Sequence, residues 1–368
     1  MSRLLRVVSF VILGLTLIGC SLPRGAAISS EVVQGAGAED APFALHVVSR
    51  DFLPRFANWP SNHSSRSYSW ISRQAGPASQ VIAAGDVMNL QIWDSGDNSL
   101  ISSPEQKSTP LLNLVVSPSG TIFVPYVGEV LVTGLTPDGA RKELQSRIAS
   151  LIPSAQVQIS HTSGRRNSVD LVGGVLNAGN FPLPDRNFTI LSLLAAGGGV
   201  DPDIPNPQVR LVRGNNTYGT SLTRLYENSS LDTTLRGGDK VIVDRDQRSF
   251  IALGAASNEA TVYFNKDRIS ALDALSLMGG LLDLRADPEG VLILRNYPSS
   301  AVRTDGTGPS HDQVVFSIDL THADGIFSAG KFEIQPGDVV LATESFVTAA
   351  GTVVGFFSAL IGIAAVAN

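Results

Sequence analysis

The chain has 368 residues, 43% of them hydrophobic and 16% charged, which excludes a wholly disordered chain and leaves material for two or three domains. The formal net charge is −6 with no basic block, which excludes a nucleic-acid footprint and disfavours holding an acidic polymer by overall charge alone. There is one cysteine, Cys20, so no intramolecular disulfide is possible.

Residues 1–19 have the layout of a secretory signal: Arg3 and Arg6, then an apolar run from Val7 to Ile18, too short for a membrane span. Leu17-Ile18-Gly19-Cys20 follows, in the pattern of a bacterial lipobox. The thiol of Cys20 is the expected lipid acceptor, and Ser21 after it favours outer-membrane sorting. Several acyl chains anchor a protein stably where one is marginal. Loss of Arg3 and Arg6 with the signal takes the charge from −6 to −8. Residues 20–76 hold many small residues with scattered aromatics (Phe52, Phe56, Trp59, Trp70) and are expected to form an extended linker with local packing.

Residues 77–161 form a first predicted unit. Met88, Leu90 and Ile92 alternate as in a half-buried strand. Ser117-Pro118-Ser119-Gly120 signals a turn, and Thr121 to Val132 is strand-like with breaks at Pro125 and Gly128. Thr136-Pro137 begins a helix, with Ala140, Leu144, Ile148 and Leu151 on one face, and Pro153 ends it. Gln156 to Ser160 is a last short strand.

Two repeats follow, at 168–245 and 249–344. Each opens with a β-run meeting a glycine, Val169 to Gly173 and Phe250 to Gly254. Each has a short helix capped by Thr189 or Ser270 that runs into glycines at 197–199 or 279–280. A strand ending in Arg213 or Arg295 comes next, and Gly-Asp before a β-run closes each copy, at 238–239 and 337–338. The second copy carries a polar insertion around Ser299 to Gln313. Units with one short helix and several strands bury both by mixed packing, so the expected class is α+β.

The stretches Ile82 to Trp93, Val116 to Val130 and Gly134-Leu135-Thr136 resemble the polysaccharide export domain of the Wza-type outer-membrane polysaccharide export lipoproteins. The repeats resemble that family's ligand-binding β-grasp (SLBB) domains. The resemblance covers roughly 77–344, with Ser119-Gly120 where the family often has Asp-Gly. It implies export of a capsular or extracellular polysaccharide through the outer membrane, by a homo-oligomer, commonly an octamer, with a large periplasmic portion. It also implies an inner-membrane polysaccharide co-polymerase as partner.

Residues 346–368 carry no charge, and a helix of 23 residues spans about 34 Å, close to a hydrocarbon core of about 30 Å. Thr348, Thr352, Gly355, Ser358 and Gly362 recur at steps of three or four, and Gly351 with Gly355 gives a GxxxG spacing. A C-terminal transmembrane α-helix is therefore expected, with this stripe toward neighbours or a pore in a ring of copies. The family's corresponding helix is more polar.

No phosphate loop and no HExxH site is present. His46, His63, His161, His311 and His322 are scattered. Asp201-Pro202-Asp203 and Asp244-Arg245-Asp246 match a metal-binding DxD pattern but are better explained as turns, as are the Gly-Asp pairs at 85–86, 238–239 and 337–338. The expected protein is a passive conduit, not an enzyme, without cofactor, metal or nucleic-acid partner. The alternatives are a periplasmic carbohydrate-binding or assembly lipoprotein without a pore, and a glycan-acting enzyme.

Overall fold

The computed structural model describes residues 26–38, 40–61, 68–76, 81–94, 108–303 and 305–346. These form two compact units. One takes the chain up to residue 61 together with 247–264 and 268–346; the other takes 68–246 and 265–267. Three short elements open the described residues: α1 (Ser29–Val32), β1 (Ala44–Val47) and α2 (Leu53–Phe56).

The first domain of the 68–246 unit is built on β2 (Val87–Trp93), which lies between β3 (Ser108–Val115) and β6 (Gln156–Thr162) in an antiparallel sheet. Its alternation buries Met88, Leu90 and Ile92, as the sequence pattern requires. The strand-like run beyond the Ser117–Gly120 turn is a hairpin, β4 (Thr121–Val124) and β5 (Gly128–Leu131), interrupted where Pro125 and Gly128 predict. Between β5 and β6 lies α3 (Pro137–Ala149). Thr136 caps it by accepting from the Gly139 N–H at 3.0 Å, with Pro137 at the first position. Ala140, Leu144 and Ile148 are buried in one core with the strands. Leu151 falls past the end of the helix and is 48% exposed.

The first repeat contains β7 (Ser168–Gly173), β8 (Gly179–Pro182), α4 (Ile190–Ala196), β9 (Gln208–Arg213), β10 (Asn216–Ser221), α5 (Leu222–Glu227) and β11 (Lys240–Asp244). Its sheet runs β10-β9-β11-β7-β8, with β11 parallel to β7 and the other pairs antiparallel. The second repeat contains β12 (Ser249–Gly254), β13 (Ala260–Tyr263), β14 (Ile269–Ser270), α6 (Ala271–Leu277), β15 (Ala286–Asn296), β16 (Gln313–Ile318), α7 (Ala323–Ala329), β17 (Glu333–Ile334) and β18 (Val339–Glu344). Its sheet runs β1-β16-β15-β18-β12-β13, with β18 parallel to β12. With β1 set aside, strand order and direction match the first repeat. The helix caps match as well. Thr189 accepts from the Ser192 N–H at 3.3 Å, and Ser270 from the Asp273 N–H at 3.1 Å. The Asp273 carboxylate reciprocates at 2.9 Å, closing a capping box.

Both repeats need a glycine at the end of the opening strand. Gly173 (φ +97°) and Gly254 (φ +93°) take left-handed backbone, and a Cβ on either would overlap a carbonyl oxygen of the parallel partner strand, Val243 or Ala342.

The N-terminal segment is structured against both repeats. In the unit holding the second repeat, β1 adds to the sheet edge parallel to β16, pairing Ala44 with Val314 and Val47 with Ser317. Phe52, Phe56 and Trp59 then pack with His46 and Phe316. In the other unit, residues 68–74 cover the first repeat. Trp70 and Ile71 pack on its core, and the Trp70 Nε1–H donates to the Leu231 carbonyl at 2.8 Å.

The expected fold class needs one correction. The chain is mixed α/β, and none of the seven α-helices among the described residues is long and apolar enough to cross a membrane. The longest, α3, has 13 residues. It spans about 20 Å against a hydrocarbon core of about 30 Å, and it carries Asp138, Arg141, Lys142, Glu143 and Arg147. A C-terminal transmembrane helix is thus not supported. The segment expected to form it, with Thr348, Thr352, Gly355, Ser358 and Gly362, lies outside the described residues, as does Cys20.

Candidate functional site

The three Gly-Asp pairs are tight turns, and their aspartates do more than turn the chain. In Ala83–Asp86, Arg236–Asp239 and Gln335–Asp338 the fourth residue's N–H donates to the first residue's carbonyl at 3.1, 3.0 and 3.1 Å. The third residue is a glycine with φ +90°, +85° and +86°, where such a turn demands positive φ. Each aspartate then accepts from the N–H of the turn's first residue, at 2.9, 2.8 and 2.8 Å. All three carboxylates are buried.

A buried carboxylate needs a partner, and the three find different ones. Asp86 lies 2.7 Å from His161 Nε2 and accepts from the Gly164 N–H at 2.7 Å and from Asn167 Nδ2 at 3.1 Å. It thus ties the first domain to the start of the first repeat. Asp239 takes a two-pronged contact from Arg213 at 3.0 and 2.6 Å, and Asp338 one from Arg295 at 2.9 and 2.7 Å. Each arginine also donates to a carbonyl, of Thr234 or Glu333, at 2.8 Å. Arg295 is further held by Tyr297 Oη at 3.3 Å and by the rings of Phe316 and Phe332, both 5.2 Å away. Burial opposes its charge, but the Asp338 carboxylate prevails and holds the guanidinium above its ordinary pKa. Arg213 Nη1, in contrast, is buried without a partner among the described residues.

Beside Arg295 the second repeat holds an open cavity of about 470 Å³, within the usual range of small-molecule sites, roughly 300–1,000 Å³. Phe56 and Trp59, from the N-terminal segment, form aromatic wall with Phe264 and Phe332. Arg248, Arg268 and Lys331 bring positive charge, and Glu333 is the one carboxylate among the lining residues. Arg248 stands 5.1 Å over the Phe264 ring. Arg268 donates to Glu333 at 2.9 Å, and this carboxylate keeps the guanidinium above its ordinary pKa. Trp59 Nε1 is buried with no hydrogen-bond partner among the described residues.

The DxD aspartates do not converge on a metal site. Asp201 accepts from the Asp203 N–H at 3.0 Å inside a turn, Asp244 pairs with Arg210, and buried Asp246 accepts from Asn206 Nδ2 at 2.7 Å. No group of three or more metal-ligating side chains occurs among the described residues. The cavity residues were not found from sequence. Phe52, Phe56 and Trp59 stood out as aromatics in a polar stretch, but nothing local connects them to Arg248, Arg268 or Lys331.

Fold and site define a chain of α/β domains in two compact units, with buried aspartate turns. The first of these domains lies within residues 74–162, a region that matches the family described as "Polysaccharide biosynthesis/export protein". The similarity extends well beyond that domain. The chain is 27% identical over 363 residues to the capsule polysaccharide export protein BexD of Haemophilus influenzae, covering 92% of this chain and 91% of the relative. It is 28% identical over 280 residues to the capsule polysaccharide export outer membrane protein CtrA of Neisseria meningitidis, covering 71% of each. To the Vi polysaccharide export protein VexA/TviF of Salmonella typhi it is 24% identical over 336 residues, covering 90% of each. Residues 74–162 thus carry the polysaccharide biosynthesis/export domain, and the chain is similar over most of its length to polysaccharide export proteins.

Proposed function

We infer that this protein carries a capsular or extracellular polysaccharide across the outer membrane, as an oligomeric conduit. The observation that carries the reading is the extent of the likeness to BexD, 92% of the chain, which takes in the N-terminal segment and both repeats as well as the export domain. The relatives CtrA and VexA/TviF are likewise named for export. Acylation of Cys20 anchors the protein to the membrane. A co-polymerase in the inner membrane, implied by the family, supplies the polymer.

Self-association has a physical basis in the export domain. Phe123 (64% exposed) and Leu131 (56% exposed) share the outward face of the β4–β5 hairpin. Tyr126, in the connection between those strands, holds φ +65° with its ring in solvent. A bulky residue in left-handed backbone and exposed apolar side chains are features of contact surfaces. Native mass measurement of the detergent-extracted protein tests the conduit. The expected species is an integral multiple of one subunit that falls to a single subunit in Phe123→Asp with Leu131→Asp, whereas a wild-type single subunit contradicts it. Cys20→Ser is expected to move the protein from the membrane to the soluble fraction.

A further inference from the structure

We propose that the cavity of the second repeat binds an acidic sugar residue, its carboxylate among Arg248, Arg268 and Lys331 and its ring against Trp59. Arg248, Arg268 and Lys331 line the cavity with Glu333 as the one carboxylate among the described lining residues, while Arg295 is already matched by Asp338. The chain as a whole carries −6, so this cluster runs against its own background and calls for an anionic partner. A planar guanidinium can take a carboxylate through two parallel N–H bonds, whereas Arg268 now puts both Nε and Nη2 on a single oxygen of exposed Glu333. An incoming carboxylate can replace Glu333 there.

The second half of the argument is apolar. Phe56, Trp59, Phe264 and Phe332 give the cavity flat aromatic surface, which suits the C–H face of a pyranose ring better than an inorganic anion. The indole of Trp59 is also short of an acceptor. A buried donor without one costs free energy, and buried Trp N–H groups usually find a partner. Trp70, which packs against the first repeat, has the Leu231 carbonyl; Trp59 has none among the described residues. A sugar hydroxyl or ring oxygen in the cavity supplies it. Because Phe56 and Trp59 come from the N-terminal segment, the site is complete only while β1 stays paired with β16.

This inference rests on the export reading, since it names a chemistry for the exported polymer. Its test is calorimetric titration of the full-length detergent-purified protein with a glucuronate-containing disaccharide, the matching neutral glucose disaccharide and inorganic phosphate. The acidic disaccharide is expected to bind at least tenfold more tightly than either of the others. Arg248→Glu with Lys331→Glu is expected to weaken it at least tenfold at unchanged melting temperature, Trp59→Phe several-fold, and Lys240→Glu on the first repeat not at all. Lys331→Gln serves if the double variant fails to fold, with a loss of a few-fold. Equal binding of the neutral disaccharide or of phosphate overturns the proposal, as does acidic binding that survives the charge reversals. Absent binding, with surface polysaccharide lost when the gene is deleted, overturns the site and leaves export standing. Binding with undiminished surface polysaccharide overturns export and leaves the site standing.

Discussion

The two repeats share strand order, parallel pair, helix caps and Gly-Asp turn, yet they finish the same frame differently. In the second repeat every donor nitrogen of Arg295 has a partner and two rings flank its guanidinium; in the first, Arg213 leaves Nη1 without one among the described residues. The second repeat's sheet gains β1 as a sixth strand, whereas the first keeps five. The tryptophan packed on the first repeat is hydrogen-bonded, and the one on the second has no hydrogen-bond partner among the described residues. Elements that define the fold are thus duplicated, while the buried polar groups left without a partner among the described residues differ, and one of those beside the second repeat, Trp59 Nε1, belongs to a residue of the cavity wall.

The arginines give the largest expected effect. Arg295→Met leaves Asp338 buried and uncompensated and is expected to cost about 3–5 kcal/mol in denaturant unfolding of the unit that holds it. Arg213→Met is expected to cost less. Its side chain is 15% exposed against 4% for Arg295, and it gives up a weaker set of bonds. Equal losses would break the contrast.

The glycines test the shared part of the frame. Gly173→Ala and Gly254→Ala are each expected to cost at least about 1–3 kcal/mol, because the left-handed backbone alone carries that strain. Matching values would support an equivalent role, and a tolerated substitution in either would refute it. The caps come next. Thr189→Ala is expected to cost about 1 kcal/mol, and Ser270→Ala somewhat more, since the Ser270 hydroxyl also donates to the Asp273 carboxylate at 2.8 Å where Thr189 meets only the Ser192 hydroxyl.

The smallest effect is a pH dependence confined to the second repeat. Burial, aided by the charge of His311, pushes the pKa of His46 below 6.5, and its Nε2 is buried without a partner among the described residues. The folded protein therefore favours the neutral ring, while the unfolded chain takes up the proton below about 6.5. The contribution is present above that pH and is lost as pH falls from 6.5 toward the folded value. The protection factor of the Val48 amide, which donates to the Ser317 carbonyl at 2.9 Å, is expected to fall between pH 7 and 5 once the intrinsic exchange rate at each pH is divided out. His46→Phe is expected to remove that acid sensitivity.

Much of this frame was legible in the sequence because its signals are local. Alternation in Met88-Leu90-Ile92, the Thr136-Pro137 start, the Ser270-Asp273 cap and the glycines after α4 and α6 each act within a few residues. The buried Arg-Asp pairs were visible only as separate recurrences, a strand ending in arginine and a Gly-Asp turn, since the partners stand 26 and 43 positions apart. The cavity was not legible at all. Its wall joins residues near 56–59 to others near 248, 268 and 331, which only tertiary packing brings together. The absence of charge at 346–368, its length and its stripe of small residues suggested a membrane helix, which no helix among the described residues supports.

Export itself is the claim on which the rest depends, and surface polysaccharide measures it most directly. In a strain lacking this gene, polymer scored on intact and on permeabilised cells is expected to vanish from the surface while remaining detectable inside, with restoration by the wild-type gene. Undiminished polymer on intact mutant cells would contradict the account.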